Sequence, residues 1–334
     1  MRILSHPSNL AVVQAANKLT QTTRDFFAEQ GYVGLDLPVL SPSIIPESYL
    51  EIFETEFTYL DKKTKLYLTP SPELFIKRLL ADGIEKCYSL GKSFRNSEPH
   101  SSLHLPEFTM LEFYKTRATY MDIADDLLLL LQKLAQSMNS SHTINYKGVS
   151  VNCSKWEKLS VSEAFDMYAH ISQDELFDHQ RFLDTAAKKG YEVKSFSYED
   201  IFSQIYSQEI EPHLGMNGYP TLLYDYPKEF AALAQLNKDR KTAQRFEFYI
   251  SGVELGDCYT ELTDPSEQEF RFKEEVKKRQ EKGLINHPVD WGFVDALKKG
   301  LPPCAGIAIG FDRLQMVFVG ADSVQDIKLI TIEP

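Results

Sequence analysis

Residues 107–114 read EFTMLEFY, and this stretch restricts the possible folds more than any other part of the chain. Side chains along a strand alternate between its two faces. One face of such a strand would carry Phe108, Met110, Glu112 and Tyr114. We therefore expect a strand that presents an acid between an aromatic ring and a phenol. The alternative interpretation is a half-exposed strand whose glutamate meets water.

A second stretch, residues 245–255, reads RFEFYISGVEL and predicts a hairpin with a tight turn at 251–252. We expect this turn to place Glu247 and Glu254 directly opposite each other on the two strands. Like charges in that position destabilise a sheet, so a cation is expected between them. Two carboxylates together with substrate phosphates are typical of a Mg²⁺ site. The alternative is a pair of edge glutamates that face solvent.

The same strand continues as GDCYTE over residues 256–261. Strict alternation puts Asp257 and Glu261 on one face and Glu254 on the other, whereas a bulge at Gly256 would bring all three together. The resulting pocket would collect several acids: Glu112, Asp257, Glu261 and Glu73. Such a pocket is expected to select a cationic small molecule, for example a diamino acid.

A third stretch, residues 305–314, reads AGIAIGFDRL. Its even positions, Gly306, Ala308 and Gly310, bear almost no side chain, while its odd positions are large and apolar. A strand face without side chains lets a ligand lie against the backbone. Tight packing is the alternative explanation for glycine at these positions.

Two arginines accompany these stretches. Asp312 is expected to cap the helix after the third stretch, which places Arg313 in the first turn of that helix. Arg95 ends a predicted strand before a polar loop. Either arginine alone is typical of a protein surface. Together with two acids for a metal and an acidic pocket for an ammonium group, they suit the activation of a carboxylate by a nucleotide.

The rest of the pattern predicts helices and strands in no regular alternation. Helices are expected from about residue 9 to 30, from 71 to 80, from 121 to 138, from 266 to 282 and in the strand-to-helix unit at 305–319; strands are expected at 32–40, 87–94, 107–114 and 245–263. Because the strands follow no βαβ rhythm, we predict an α+β fold with a largely antiparallel sheet. No linker is recognisable, so we expect one domain over residues 1–334 with an insertion at about 150–230.

Composition excludes several classes of protein. The formal charge is −12, from 36 Lys and Arg against 48 Asp and Glu, and the absence of a basic block argues against a general nucleic-acid binder. The longest apolar run, at 127–131, is too short to cross a bilayer, and the first seven residues lack the core of a secretion signal. Four widely spaced cysteines without a C-x-x-C pair predict reduced thiols in a cytoplasmic protein.

Several of these stretches resemble the motifs of one family, the class II aminoacyl-tRNA synthetases of the lysine type. Residues 94–114 resemble motif 2, residues 306–313 resemble motif 3, and residues 31–42 resemble motif 1, the dimer-forming element. The sequences TPSPE at 69–73 and ELTD at 261–264 extend the similarity. The resemblance covers most of the chain outside 150–230. It implies the class II catalytic fold, an antiparallel sheet flanked by helices, and a homodimer formed through motif 1.

The resemblance also implies ATP as a substrate, Mg²⁺ as a cofactor and a role for individual residues. Arg95 and Arg313 would be the catalytic arginines, the first at the α-phosphate and the substrate carboxylate, the second at the γ-phosphate. The expected ATP-binding residues are Arg95, Asn96, Glu98, His104, Phe108, Glu247 and Arg313. The expected amino-acid-binding residues are Glu73, Glu112, Tyr114, Asp257, Glu261, Ala308 and Gly310. The expected metal ligands are Glu247 and Glu254.

Two features place the chain within this family. A lysyl-tRNA synthetase carries an anticodon-binding barrel before motif 1, whereas here motif 1 begins about 30 residues in, which leaves no room for the barrel. Ala308 stands where lysyl-tRNA synthetases have glycine. The chain therefore resembles the free-standing paralogues that attach (R)-β-lysine or lysine to elongation factor P. One added methyl group discriminates between substrate isomers by about 1–3 kcal/mol.

The chain departs from the family pattern at two places. It has Ser97 between the family's F-R-N and the acid at Glu98, and Asp257 replaces an asparagine near the polar end of the substrate. Two alternatives to the ligase stay open: a truncated synthetase that charges tRNA, and an inactive paralogue that binds an amino acid. The net acidity favours a partner other than tRNA, and we expect no membrane partner.

Overall fold

A computed structural model describes residues 2–48, 50–97 and 101–333. Its strands, in chain order, are β1 (Arg2–Ser5), β2 (Val33–Leu35), β3 (Leu40–Ser41), β4 (Phe53–Tyr59), β5 (Lys62–Leu68), β6 (Lys86–Phe94), β7 (Glu107–Thr116), β8 (Thr143–Tyr146), β9 (Val149–Asn152), β10 (Glu157–Ser160), β11 (Thr221–Pro227), β12 (Thr242–Ile250), β13 (Val253–Thr260), β14 (Cys304–Gly310) and β15 (Ile330–Glu333).

The α-helices are α1 (Leu10–Glu29), α2 (Glu73–Ala81), α3 (Tyr120–Asn139), α4 (Val161–Ala164), α5 (Gln173–Leu176), α6 (His179–Lys189), α7 (Tyr198–Ile205), α8 (Pro265–Glu281), α9 (Trp291–Gly300) and α10 (Phe311–Val319). Short 3-10 helices lie at Pro7–Asn9, Glu211–His213 and Lys228–Phe230, and π-helices lie at Phe165–Ala169 and Tyr206–Ile210.

These elements form two compact units. Unit 1 comprises residues 1–118 and 261–334, and unit 2 comprises residues 119–260. The main strands of unit 1 lie in the order β14-β7-β6-β2, in which β2 and β6 are parallel and the other neighbours are antiparallel. Unit 1 also contains the antiparallel sheets β3-β5-β4 and β1-β15.

Aromatic rings hold α1 against the main strands of unit 1. The ring of Phe27 stacks on Tyr88 of β6, with centroids 4.5 Å apart, and lies 5.0 Å from Phe113 of β7 and 5.1 Å from Tyr32. The helix ends just before Gly31, which has a φ of +75° that glycine adopts without strain. This packing fixes β6 and β7, the strands that flank the predicted motif 2 loop.

The main strands of unit 2 lie in the order β10-β11-β12-β13, in which only β10 and β11 are parallel neighbours, and β8 and β9 form a separate antiparallel pair. Helix α3 begins at a capping box, in which the Thr119 N–H donates to the Asp122 carboxylate at 2.7 Å. The segment from about 150 to 230 has its own apolar core. In this core the ring centroid of Phe165 lies 6.1 Å from that of Phe182 and 4.7 Å from that of Phe202.

The predicted α+β fold with a largely antiparallel sheet is confirmed. Among the neighbouring strands described above, only β2–β6 and β10–β11 run parallel. One strand prediction is wrong, because residues 32–40 form β2 and the start of β3 rather than one strand. Pro38 lies between them and has no N–H to donate to a ladder. Helix α2 begins at Glu73, and Ser71 Oγ accepts the Glu73 N–H at 3.0 Å.

Two further observations bear on the excluded classes. Among the residues that the structure describes, no helix is long and apolar enough to cross a membrane. None of the four cysteines forms a disulfide, as predicted, and all four are buried. Burial raises the pKa of Cys87 and of Cys153 to about 12, which keeps these thiols protonated and unreactive.

Candidate active site

An open cavity in unit 1 collects several of the predicted nucleotide-binding residues. Its lining consists of Arg95, Leu103, His104, Leu105, Phe108, Gly310, Asp312, Arg313 and Val324. Two guanidinium groups, an imidazole and an aromatic ring therefore share one concave surface. This combination suits a nucleotide, because the ring can stack on a base while the guanidinium groups contact phosphates.

The end of β6 positions Arg95 over the Phe108 ring. The guanidinium carbon of Arg95 lies 5.4 Å from the centroid of Phe108, which is within the range of a cation–π contact. The backbone N–H of Arg95 donates to the Pro106 carbonyl at 3.0 Å and ties the end of β6 to the start of β7. Arg95 Nε is buried and has no hydrogen-bond partner among the described residues. This donor is available to an anion.

The bare end of β14 accommodates Arg313. A Cβ atom at Gly310 would lie 2.9 Å from Arg313 Nε, so glycine lets the guanidinium group lie on the backbone. The predicted capping role of Asp312 is wrong, since the residue before α10 is Gly310. Asp312 instead accepts the Thr109 N–H at 3.0 Å and pairs with Lys328 at 2.7 Å, which links α10 to β7.

The remaining predicted nucleotide contacts belong to the loop between β6 and β7. His104 Nδ1 lies 2.9 Å from Ser101 Oγ, and this contact holds the imidazole at the cavity. The side chain of Asn96 serves the loop itself, because its amide donates to the Ile52 carbonyl at 3.3 Å. Glu98, which we predicted to bind ATP, lies outside the described residues.

A second cluster in unit 1 surrounds the carboxylate of Glu112. This residue is 1% exposed and accepts hydrogen bonds from Ser71 Oγ at 2.7 Å and from the Tyr114 hydroxyl at 3.1 Å. Ala308 of β14 lies opposite Glu112 in the register of the two strands. Sequence reasoning identified the acid, the phenol and the alanine, but it did not place Ser71 beside Glu112.

Sequence reasoning missed Lys77 altogether. Its side chain is 1% exposed and forms ion pairs with Glu73 and, at 2.6 Å, with Glu261. We expected both acids to face a cationic substrate, whereas the structure places a cation of the chain itself between them. The i,i+4 spacing of Glu73 and Lys77 on α2 is the pattern that would have indicated this pair.

The buried charges shift the pKa values of their neighbours. Burial, followed by the charges of Glu112, Glu73 and Glu261, raises the pKa of Tyr114 well above its ordinary value, so the phenol stays protonated and donates. Burial lowers the pKa of Lys77, but its two carboxylate partners outweigh burial and the net shift is upward. The cluster thus contains three acidic side chains and one lysine, a composition that suits a cationic ligand.

Gly306 leaves the space that the ring of Tyr114 occupies. A Cβ atom at residue 306 would lie 2.1 Å from two ring atoms of Tyr114, so an alanine forces the ring to move. We expect Gly306→Ala to lower the free energy of unfolding by about 1–3 kcal/mol, measured by urea denaturation. Tyr114→Phe, which removes only the hydroxyl, is the control. Stability equal to that of the wild type would contradict the packing described here.

In unit 2, Glu247 lies at the centre of a buried polar network on β12. Arg245 Nη2 lies 2.6 Å from Glu247 Oε1, the Tyr249 hydroxyl donates to Oε2 at 2.5 Å, and the Tyr206 hydroxyl lies 3.1 Å from the same oxygen. Burial raises the pKa of Glu247; the charge of Arg245 opposes this rise and the charge of Glu254 adds to it. The two glutamates therefore interact electrostatically.

The prediction that Glu247 and Glu254 lie directly opposite each other is wrong. The turn forms at residues 251–252 as predicted, with φ values of 51° and 74°. Glu254, however, pairs with Tyr249, and Glu247 pairs with Asp257. The register of the two strands shifts between these two pairs. Counting residues outward from the turn therefore does not identify the residue that pairs with Glu247.

The shift is a β-bulge, and it gathers acids on one face of the hairpin. Leu255 is the extra residue, next to the predicted position at Gly256. Glu247 and Tyr249 are two residues apart on β12, so their side chains lie on the same face of the sheet. Their partners Asp257 and Glu254 therefore lie on that face too. We predicted a bulge at Gly256 that brings Glu254, Asp257 and Glu261 together, whereas the bulge at Leu255 brings Glu254 and Asp257 to one face and Glu261 lies beyond the end of β13.

The charge of Asp257 has partners within unit 2. Its carboxylate accepts a hydrogen bond from the Tyr259 hydroxyl and lies 3.7 Å from Arg245 Nη2. Arg245 therefore lies between two acids, Glu247 and Asp257, and offsets part of the charge of each.

The carboxylates of this hairpin fit a divalent cation. Among the residues that the structure describes, no group of three or more His, Cys, Asp or Glu could hold a metal ion. Mg²⁺ is typically bound by one or two carboxylates together with substrate phosphates. Glu247 and Glu254 provide two such carboxylates, and a cation between them would relieve the repulsion that raises the pKa of Glu247.

Comparison with known proteins identifies the family. The family described as class II tRNA synthetases (D, K and N) matches residues 1–331. A Yersinia enterocolitica protein named elongation factor P–(R)-β-lysine ligase is 36% identical over 312 residues, which cover 91% of this chain and 90% of the relative. Proteins of the same name from Salmonella dublin and Salmonella paratyphi B are 35% identical over 317 residues, or 93% of this chain and 91% of each relative. The chain belongs to the class II tRNA synthetase family, as its motifs predicted.

Proposed function

We propose that this chain activates lysine or (R)-β-lysine with ATP and transfers the aminoacyl group to a lysine side chain of elongation factor P. The observation that carries the proposal is the arrangement along β7 and β14. Phe108 and Gly310 line the cavity, while Glu112 and Ala308 lie farther along the same two strands. Phe108 and Glu112 are about 13 Å apart along β7. The ligase name of the relatives supports the same reaction.

In the first step, a carboxylate oxygen of the amino acid attacks the α-phosphorus of ATP and pyrophosphate leaves. Arg95 would hold the α-phosphate and the attacking carboxylate, and Arg313 would hold the γ-phosphate. Both guanidinium groups offset the charge that develops on the phosphoryl oxygens. Phe108 would stack on adenine, and His104 would contact the nucleotide. No nucleophile of the enzyme is needed, because positioning and charge stabilisation supply the catalysis.

The buried acids of unit 1 would recognise the amino groups of the substrate. Lys77 forms ion pairs with Glu73 and Glu261, while Glu112 accepts hydrogen bonds from the hydroxyl groups of Ser71 and Tyr114. A diamino acid carries two ammonium groups and therefore matches this cluster better than a neutral side chain does. Tyr114 would fix the orientation of the Glu112 carboxylate.

Glu247 and Glu254 are the residues that would hold Mg²⁺. When bound, the ion supplies positive charge to the triphosphate. Arg245 and Tyr249 bind the two oxygens of Glu247 and so orient this carboxylate before the substrate arrives. Because Asp257 pairs with Arg245 and Tyr259, it stays turned toward them rather than adding a third metal ligand.

In the second step, the ε-amine of a lysine on elongation factor P attacks the carbonyl carbon of the aminoacyl-adenylate. An amide bond forms, AMP leaves, and the amine loses a proton to solvent. The second candidate function replaces this amine with a tRNA hydroxyl, and the synthetase family of the chain favours it. We further propose a cytoplasmic homodimer formed through residues 31–42, the segment that resembles motif 1.

Pyrophosphate exchange tests the first step. The chain, incubated with ATP, Mg²⁺ and labelled pyrophosphate, is expected to incorporate label into ATP only when a lysine isomer is present. Comparing L-lysine with (R)-β-lysine shows which isomer is activated. Absence of exchange with both isomers would contradict the proposal and favour an inactive paralogue that only binds the amino acid.

The methyl group of Ala308 is expected to set the preference between isomers. We predict that Ala308→Gly shifts the ratio of kcat/KM values for (R)-β-lysine and L-lysine by about 10- to 200-fold toward L-lysine, since it removes one methyl group beside Glu112. Ala305→Gly, on the other face of β14, controls for the loss of strand stability. An unchanged ratio in Ala308→Gly would show that the methyl group does not discriminate.

A further inference from the structure

The segment from about 150 to 230 carries no motif, yet it reaches the candidate metal ligand Glu247. Tyr206 is the first residue of the π-helix Tyr206–Ile210, and Tyr226 lies on β11. With Tyr249 of β12, these residues form a group of three phenols, here called the tyrosine cluster. Segments of π-helix are frequent at functional sites, and Tyr206 is the first residue of this one.

Hydrogen bonds connect every member of the tyrosine cluster to Glu247 directly or through one neighbour. The Tyr206 hydroxyl lies 2.5 Å from the Tyr249 hydroxyl, 3.0 Å from the Tyr226 hydroxyl and 3.1 Å from Glu247 Oε2. Tyr249 donates to the same carboxylate oxygen. Tyr206 is therefore the phenol that contacts all the others, and it is the one that the unexplained segment supplies.

The tyrosine cluster packs against an apolar core, and the Arg245 guanidinium lies 4.7 Å from the centroid of the Tyr226 ring. Tyr226 and Tyr249 belong to the apolar core of the segment, and Tyr206 packs against it. Phe202 stacks on Tyr206 with ring centroids 5.9 Å apart. Phe202 packs in the same core although its ring carries no hydroxyl group. Packing alone could be met by phenylalanine at residue 206, because a buried hydroxyl is costly unless it finds a partner. The hydroxyl groups are placed where the carboxylate of Glu247 needs donors.

We infer that Tyr206 is a positioning residue, through which the segment at 150–230 holds Glu247 in the orientation required of a metal ligand. The inference rests on the proposed metal-binding role of Glu247. Arg245 binds Oε1 while the tyrosine cluster binds Oε2, so the carboxylate is restrained at both oxygens. Oε1 accepts from Arg245 and retains a further lone pair for a cation. Groups that orient metal ligands in this way contribute about 10- to 100-fold to metal affinity.

A matched pair of variants tests this role. Tyr206→Phe removes the hydroxyl and keeps the ring, whereas Tyr198→Phe removes a hydroxyl that donates to the Leu176 carbonyl at 3.0 Å in the same apolar core. Mn²⁺ serves as the probe, and its affinity for the full chain is measured by electron paramagnetic resonance with a non-hydrolysable ATP analogue, against the analogue alone. We expect Tyr206→Phe to weaken Mn²⁺ binding about 10- to 100-fold and Tyr198→Phe to change it less than about twofold.

Two further measurements separate the possible failures. Glu247→Gln, measured in the same way, reports on the metal assignment itself. Unchanged Mn²⁺ affinity in Glu247→Gln would overturn that assignment and this inference with it. Weakened affinity in Glu247→Gln, together with unchanged affinity in Tyr206→Phe, would overturn the role of Tyr206 alone. Urea denaturation of both phenylalanine variants is expected to show similar losses of stability, so a difference in Mn²⁺ affinity reports positioning rather than folding.

Discussion

Replacing Arg313 by alanine is expected to lower kcat/KM for lysine-dependent pyrophosphate exchange by about 100- to 1000-fold, the usual effect of removing one charge-stabilising donor. The guanidinium group lies against Gly310 at the cavity. Without it, the proposed γ-phosphate contact loses its cation, and the negative charge on pyrophosphate is no longer offset as it leaves. The measurement is the initial rate of exchange over a range of ATP concentrations.

Two other substitutions make this prediction specific. Arg313→Lys keeps the charge but not the planar fork of donors, so it is expected to fall between the wild type and the alanine variant. Arg24→Ala, which changes an exposed arginine on α1, should leave exchange unaltered. If Arg313→Ala and Arg24→Ala exchange at the same rate, Arg313 does not contact the nucleotide and the assignment of the cavity must be revised.

Replacing Lys77 by methionine is expected to lower the free energy of unfolding by about 3–5 kcal/mol, because it leaves two carboxylates without the cation between them. Lys77 and Glu261 are both about 1% exposed, so water cannot take over this role. Urea denaturation gives the change in free energy, and the same variant is expected to lose the exchange activity with either lysine isomer.

A second variant tests whether charge balance is the cause. Lys77→Met combined with Glu261→Gln removes one positive and one negative group, so it should recover part of the stability lost in the single variant. Lys63→Met is a suitable control, since Lys63 pairs with Glu56 at the surface, where an ion pair contributes less than about 1 kcal/mol. Equal losses for Lys63→Met and Lys77→Met would show that the buried ion pairs do not stabilise the fold.

Strand alternation explains why much of unit 1 could be predicted. The faces of β7 and β14 follow from a period of two, and the antiparallel register sets Ala308 opposite Glu112 and Gly306 opposite Tyr114. The same period of two residues, together with Gly306 and Gly310, predicted that one face of β14 carries almost no side chains. The motif resemblance then attached roles to Arg95 and Arg313, which the structure brings to one cavity.

The features that could not be predicted depend on contacts between distant residues or on local irregularity. The ion pair of Lys77 with Glu261 joins residues far apart in the chain, and no period links them. The bulge at Leu255 changes the partner of Glu247 by altering the register, which a count along the strand assumes to be regular. Tyr206 contacts Glu247 through a segment whose sequence resembles no motif. The single domain with an insertion at about 150–230 stays a prediction.

The acceptor of the aminoacyl group tests the central proposal most directly. The full chain is incubated with ATP, Mg²⁺, labelled (R)-β-lysine and an equimolar mixture of elongation factor P and tRNA. The intact mass of elongation factor P is measured alongside the ribonuclease-sensitive label on tRNA. We predict that elongation factor P gains the mass of one lysyl group, that tRNA gains no label, and that Arg313→Ala abolishes the gain. Label on tRNA with elongation factor P unchanged in mass would contradict the account.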